Sequence, residues 1–197
     1  VSSKMKPDPY DTKMAKKLMA DAGYPDGFKM TIHGPNDRYI NDAKIAEALA
    51  QMLNRVGIEA SVETMPKAVY FKRASRGGPN KSPEFSFMLL GWGAGSGEAS
   101  SPLKALLHTY DKSKGLGAAN RGRHSDAEVD KLVKQALATV DADARGALLA
   151  KATEKAVGEN YGVIPMHYQV NTWAAKAGYK YLPRTDERTI VTGLSNN

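Results

Sequence analysis

The sequence contains no cysteine. This excludes a disulfide framework, a thiolate nucleophile and a cysteine metal cluster, and suits the cytosol and the periplasm equally. Long apolar runs are missing too, since none approaches the ~18 to 20 residues that a bilayer-crossing helix requires. The N-terminal VSSKMKPDPYD has neither an apolar core segment nor a small-residue cleavage site, so any secretion signal is expected outside this chain. Clustered charge of one sign is the third absence. The net charge of +7 and the pI near 9.4 raise the question of nucleic acid, because clustered Lys and Arg displace phosphate counterions. The basic residues here are dispersed. Their densest stretch, Lys67 to Arg76, carries Lys72, Arg73 and Arg76 beside Tyr70 and Phe71 on one helix, a pattern that reads as a solvated helix face.

Catalytic signatures are equally sparse. His33, His108, His124 and His167 are too scattered for a helical metal pair, and there is no Gly-x-Ser-x-Gly elbow. Gly93, Gly95 and Gly97 imitate a dinucleotide turn, but the next required glycine is Glu98, whose carboxylate repels a pyrophosphate. The Gly77 to Ser82 stretch imitates a phosphate loop, but Asn80 replaces the glycine before the lysine. No catalytic residue, metal ligand or cofactor is assigned.

What the chain does contain is an alternation of helical and strand periods. With 197 residues, 42% of them hydrophobic, it can close one sizeable core. Asp11 is placed to cap a helix with Met14, Ala15, Leu18, Met19 and Ala22 on one face, ending at Gly23. Phe28, Met30 and Ile32 alternate with polar residues as a strand, and a helix over about 41–56 follows, with Ile45, Leu49, Met52, Leu53 and Val56 on one face. Ile58 to Thr64 alternates as a second strand, and Pro66 opens a third helix. The nearly continuous apolar run Phe85 to Trp92 reads as a buried third strand at the centre of the sheet. Ser101-Pro102 starts a further helix, and Ser125 to Glu128 has the form of a capping box. A long helix over about 143–159 and strand-like segments at 163–168 and 171–177 close the globule, leaving a polar tail from Pro183. This order predicts an α/β fold with a largely parallel central sheet flanked by helices.

The most informative segment is EFSFMLLGWGAGSGEASSP, residues 84–102. It delivers Trp92 and then a loop of small residues, Gly93, Ala94, Gly95 and Ser96, closed by Glu98, to one edge of the sheet. In open α/β sheets ligands bind outside the carboxyl ends of strands, where the 34–39 and 92–98 loops both lie. A Trp among glycines has few neighbours to bury it, so Trp92 is a candidate ligand contact. Glu98 reads either as a ligand carboxylate or as a helix N-terminal charge.

AKKLMADAGYPDGF after Tyr10-Asp11, KIAEALAQMLNRVGIEASVET, the strand into LLGWGAGSGEASSP, and NRGRHSDAEVDKLVKQA together resemble the C-terminal lobe of solute-binding protein family 5, the dipeptide- and oligopeptide-binding type receptors of ABC importers. The resemblance covers nearly the whole chain in order. It implies a periplasmic-binding-protein-like (type II) lobe, residues 1–182, followed by a tail, 183–197, that packs on the missing N-terminal lobe. It further implies a non-enzymatic receptor, located in the periplasm, that closes on a small polar solute such as a peptide and presents it to a membrane permease.

By the same resemblance Trp92 and the glycine-rich loop line the cleft between lobes, Asn36, Arg38 and Tyr39 fall where relatives contact the far end of a ligand, and Asn120 and Arg121 lie on a cleft-side loop. Peptide binders of the family place an Asp shortly after the Trp to hold the ligand amine; the matching position here is Gly95. A basic nucleic-acid or anionic-surface module is the alternative, expected to be retained on heparin and released steeply by salt. A third reading, a small hydrolase using Glu98 and a histidine, predicts that Glu98→Gln abolishes turnover.

Overall fold

The computed structural model describes residues 1–197 apart from Val1, Ser3, Ser96, Thr185, Glu187 and Asn197. The chain divides into two units, residues 1–164 and 165–197, so the division falls within the span expected to form the lobe.

In the first unit, helix α1 (Thr12–Asp21) starts at Asp11, whose Oδ1 accepts from the N–H groups of Lys13 and Met14, each at 2.9 Å. Such a cap stabilises a helix by about 1 kcal/mol. Gly23 has φ +89°, and the Tyr24 N–H reaches back to the Met19 carbonyl at 2.8 Å, a left-handed helix stop. The expected helix forms, but it buries none of its side chains; Met14 and Leu18 remain exposed.

Strand β1 (Lys29–Pro35), helix α2 (Asp42–Asn54), strand β2 (Glu59–Met65) and helix α3 (Lys67–Arg76) follow. β1 and β2 pair in parallel, from Lys29 opposite Glu59 to Pro35 opposite Met65. Alternation puts Met30, Ile32, Ala60 and Val62 on one face, where they pack with Ala46, Leu49, Ala50 and Leu53 of α2. α3 packs Tyr70 and Ala74 against Met65 and Phe85.

The segment after α3 corrects the expected central strand. Phe85 and Leu89 are buried as the apolar run implies, yet the run contributes a single parallel bridge, Met88 to His33, with His33 N–H donating to Phe87 O at 3.0 Å and Leu89 N–H to His33 O at 2.8 Å. β1, between β2 and residues 87–89, therefore occupies the middle. The physical reason is competition for the backbone. The Leu89 carbonyl accepts from the Tyr70 hydroxyl at 2.6 Å, and the Gly91 carbonyl from the Tyr39 hydroxyl at 3.2 Å, so side chains take acceptors that a further strand would use. The described residues form only two small sheets in place of a large central one.

From Ser100 the unit is mainly helical, apart from an irregular segment over 108–126 that holds one 3-10 turn, Lys112–Lys114. α4 (Ser100–Pro102) continues into a wide π-helical turn, Leu103–Leu107, and packs with α5 (Ala127–Ala138) and α6 (Ala142–Thr153), the latter extended by a second π-helical turn, Glu154–Glu159. Leu103, Leu107, Val129, Val133, Ala136, Leu149, Ala152 and Ala156 form their common core. The cap of α5 is Asp126 rather than Ser125: its Oδ1 accepts from Glu128 and Val129 N–H at 2.8 and 2.9 Å, while the Ser125 hydroxyl bonds Thr109.

In the second unit the described residues form a short antiparallel pair, β3 (Tyr179–Tyr181) and β4 (Leu194–Asn196), and one 3-10 turn, Val191–Gly193, that leads into β4. The expected strands at 163–168 and 171–177 do not form among the described residues. Their alternation provides faces but no pairing partner, and Tyr168 is 98% exposed.

Candidate functional site

The loop between β1 and α2 is set by two aspartates. Asp42, 4% exposed, accepts from the N–H groups of Arg38 and Tyr39 through Oδ2, at 2.9 and 3.0 Å, and from Ala43 through Oδ1 at 2.9 Å. Asp37 Oδ1 accepts from the first N–H of α3, that of Lys67, at 2.6 Å. The loop is thereby fastened to both helices, and Arg38 and Tyr39 are held at the carboxyl end of β1.

Tyr39 then lies directly on Gly91. Besides its hydroxyl bond to the Gly91 carbonyl, its ring is so close that a Cβ at position 91 would stand 2.6 Å from Cε1. Any larger residue there would push the Tyr39 ring out of this position. Arg38 stacks over the Tyr39 ring, 4.9 Å from its centre. On the α3 side, Arg121 lies 5.5 Å from the centre of Phe71 and donates Nε–H to the Ser75 hydroxyl at 3.1 Å. Tyr70, fully buried beneath, has its hydroxyl pKa pushed well above the ordinary value, chiefly by burial.

These elements enclose a cleft of about 360 Å³, lined by Arg38, Tyr39, Phe71, Leu90, Gly91, Trp92, Gly93 and Arg121. Trp92 is 46% exposed, an aromatic face held at the mouth. Five residues singled out in the sequence, Arg38, Tyr39, Trp92, Gly93 and Arg121, thus converge from three separate segments.

The others are placed differently. Asn36, exposed outside the lining, donates its N–H to Met65 O at 3.1 Å. Ala94 and Gly95 are exposed beyond the rim in a turn closed by Gly97 N–H to Ala94 O at 2.9 Å, and Ser96 lies outside the described residues. Glu98 accepts from the Ser100 hydroxyl at 2.6 Å and pairs with Arg145 Nε of α6 at 3.1 Å, tying the loop to the helical layer. Asn120 is 3% exposed. Its Nδ2 donates to the carbonyls of His108 and His124 at 3.0 and 2.7 Å and its Oδ1 accepts from His124 N–H at 3.0 Å, which folds the loop that presents Arg121.

Phe71 and Leu90 escaped the sequence reading. Phe71 sits in the basic stretch whose charges read as a solvated face, and its helical spacing with Ala74 is the one sequence signal that points it toward the packed side. Nor is Arg73 simply solvated: it bridges Glu63 and Glu84, and hydrogen bonds from its guanidinium hold both carboxyls below their ordinary pKa of 4.5. That pairing neutralises part of the stretch that suggested a nucleic-acid surface. Among the described residues no group of three or more His, Asp or Glu side chains is arranged to hold a metal ion.

Comparison with known proteins agrees with this architecture. The family described as bacterial extracellular solute-binding proteins, family 5 Middle, matches residues 1–114. The Escherichia coli K12 glutathione-binding protein GsiB is 31% identical over 163 residues, covering 82% of this chain and 30% of that protein. The periplasmic binding protein DppA of Helicobacter pylori, solved with peptide STSA, superposes with a TM-score of 0.67 at 28% identity, over 78% of this chain and 28% of that one. HbpA2 of Haemophilus parasuis shares the fold over 100% of this chain and 38% of its own, with a TM-score of 0.79 at 21% identity. The chain spans about 30% of the length of the curated relatives it matches. The chain belongs to the family 5 bacterial extracellular solute-binding proteins, a family of binding proteins rather than enzymes, and forms part of such a protein.

Proposed function

We propose that this chain is the cleft-lining lobe of a periplasmic solute receptor serving an ABC importer, and that it contributes one wall of the binding site for a peptide or similar small polar solute. The observation that carries the reading is the convergence of Arg38, Tyr39, Trp92, Gly93 and Arg121 on one open cleft at the carboxyl end of β1. The solute class follows the relatives, one named for glutathione and another solved with a peptide. A second lobe from the rest of the protein supplies the opposite wall, residues 183–197 pack on it, and a membrane permease receives the closed complex.

Affinity in a two-lobed receptor comes from enclosing the solute on both sides, with hinge closure coupling binding to recognition by the transporter. One wall by itself leaves much of the solute in water and does not trap it. Calorimetry of this chain with di- and oligopeptides should therefore detect nothing tighter than about 1 μM. At millimolar peptide the indole NMR signal of Trp92 should shift while that of Trp173, on the other unit, stays in place. Submicromolar affinity would overturn the half-site reading, and an unmoved Trp92 would remove the cleft from it.

A further inference from the structure

Among the described residues β2 is an edge strand, paired with β1 on one side alone. Its Glu59 N–H donates to the Phe28 carbonyl at 2.8 Å and its Met65 carbonyl accepts from the Asn36 N–H at 3.1 Å, so the odd-numbered residues of β2 turn their backbone groups toward β1. Those of Ala60, Val62 and Thr64 point outward. An open strand edge of this kind is a template on which another chain can pair.

The outward groups of Ala60 are covered by a side chain. Asn54, the last residue of α2, donates Nδ2–H to the Ala60 carbonyl at 3.2 Å and accepts the Ala60 N–H through Oδ1 at 3.1 Å. Its Nδ2 also donates to the Ala50 carbonyl at 2.8 Å, which ties the amide to the helix, and the Ala60 N–H is shared with the Ile58 carbonyl at 2.9 Å. A side-chain amide has the donor and acceptor of a peptide group, so Asn54 stands where a residue of a neighbouring strand would. Beyond Thr64 the next position of the same parity is Pro66, which has no N–H to offer. The open edge is thereby reduced to Val62 and Thr64.

Symmetry sets what a second copy would need. Two β2 edges meeting antiparallel and centred on Val62 would pair Ala60 with Thr64, Val62 with Val62 and Thr64 with Ala60, each pair exchanging both of its hydrogen bonds. Moving the centre toward Pro66 sets Glu63 opposite Glu63 and Ala60 opposite the proline, and like charges in that position repel. Moving it the other way uses Ala60 again. We infer that Asn54 guards the β2 edge, occupying the Ala60 groups and so keeping this edge from pairing with the same edge of a second copy, independently of what the cleft binds.

The test is Asn54→Ala, read by light scattering after size exclusion and by hydrogen exchange of the β2 amides. The native chain is expected to keep its mass of 21.3 kDa as concentration rises, with the Ala60 N–H exchanging more slowly than those of Val62 and Thr64. Asn54→Ala is expected to move toward twice that mass, with exchange at Val62 and Thr64 slowed by about tenfold or more. Adding Thr64→Pro, which removes an outward N–H at an edge position where proline is tolerated, should restore the monomer. A folded Asn54→Ala that stays monomeric overturns the inference, as does association that persists in the double variant or leaves Val62 and Thr64 unprotected. The native chain supplies a reading that does not depend on whether Asn54→Ala folds. An Ala60 N–H that exchanges there as fast as those of Val62 and Thr64, or Val62 and Thr64 amides already protected at high concentration, overturns the guarding role.

Discussion

Two arginines lie against aromatic rings on or beside α3, and their surroundings differ. Arg73, on the helix itself, lies 5.0 Å from the centre of Phe85 and is met by two carboxylates: Nη1 donates to Glu63 at 2.6 Å, and Nη2 and Nε donate to Glu84 at 2.5 and 3.0 Å. Arg121 arrives from the loop after Asn120, lies 5.5 Å from Phe71 and is bonded to the neutral Ser75 hydroxyl. The stacking is similar and the electrostatics are not. A stacked arginine with its charge matched joins β2, α3 and the 84–85 segment into one unit. A stacked arginine without a carboxylate keeps its field directed at the cleft, and the surrounding packing holds it there in advance.

Substitutions can break this contrast in order of size. Phe85→Ala should have the largest effect. Phe85 is 4% exposed, stacks on His33 at 4.0 Å and packs with Tyr70, so its removal should cost about 3–5 kcal/mol in urea unfolding. An effect below about 1 kcal/mol would mean that the Arg73 cluster has no dependence on its aromatic base.

Arg73→Gln should come next, and its signature is pH dependence. Glu63 and Glu84 have folded-state pKa values below 4.5, with the Arg73 hydrogen bonds as the first cause. Their contribution is therefore complete above the unfolded value and is lost as pH falls through the folded values. The gap in Tm between the native chain and Arg73→Gln should be widest near about pH 7 and close toward about pH 3. A gap independent of pH would show that Arg73 acts through packing on Phe85 alone.

Phe71→Ala should have the smallest effect on stability, about 1 kcal/mol, because its side chain is only partly buried. It should nevertheless reduce the shift of the Trp92 indole signal at millimolar peptide, because Phe71 lines the same cleft, whereas Phe85→Ala leaves that shift largely unchanged in the folded fraction. If both substitutions reduced that shift equally, the two arginine–aromatic pairs would not be functionally distinct.

Much of the site was legible along the chain because its signals are local. Trp92 among glycines, Arg38 and Tyr39 after a strand, and Arg121 before a helix each declare themselves through neighbours in sequence. The residues that moved out of the lining did so for long-range reasons. Glu98 is drawn to Arg145, 47 positions along the chain, and Asn120 is turned inward to bond the His108 carbonyl, 12 positions away. Phe71 was hidden because a basic helix face seen in isolation does not reveal that Arg121 will stack on it.

The fold divides in the same way. Helical periods, the Asp11 cap and the alternation in β1 and β2 are properties of a few consecutive residues, and these the amino-acid order determined by itself. Whether an apolar run becomes a strand depends on which groups reach its backbone. Tyr70 and Tyr39 claim the Leu89 and Gly91 carbonyls, and residues 163–177 find no pairing edge. The same holds for charge: composition counts the arginines, but only the tertiary structure decided that Arg73 meets two glutamates and that Arg38 and Arg121 face a cleft lined by none.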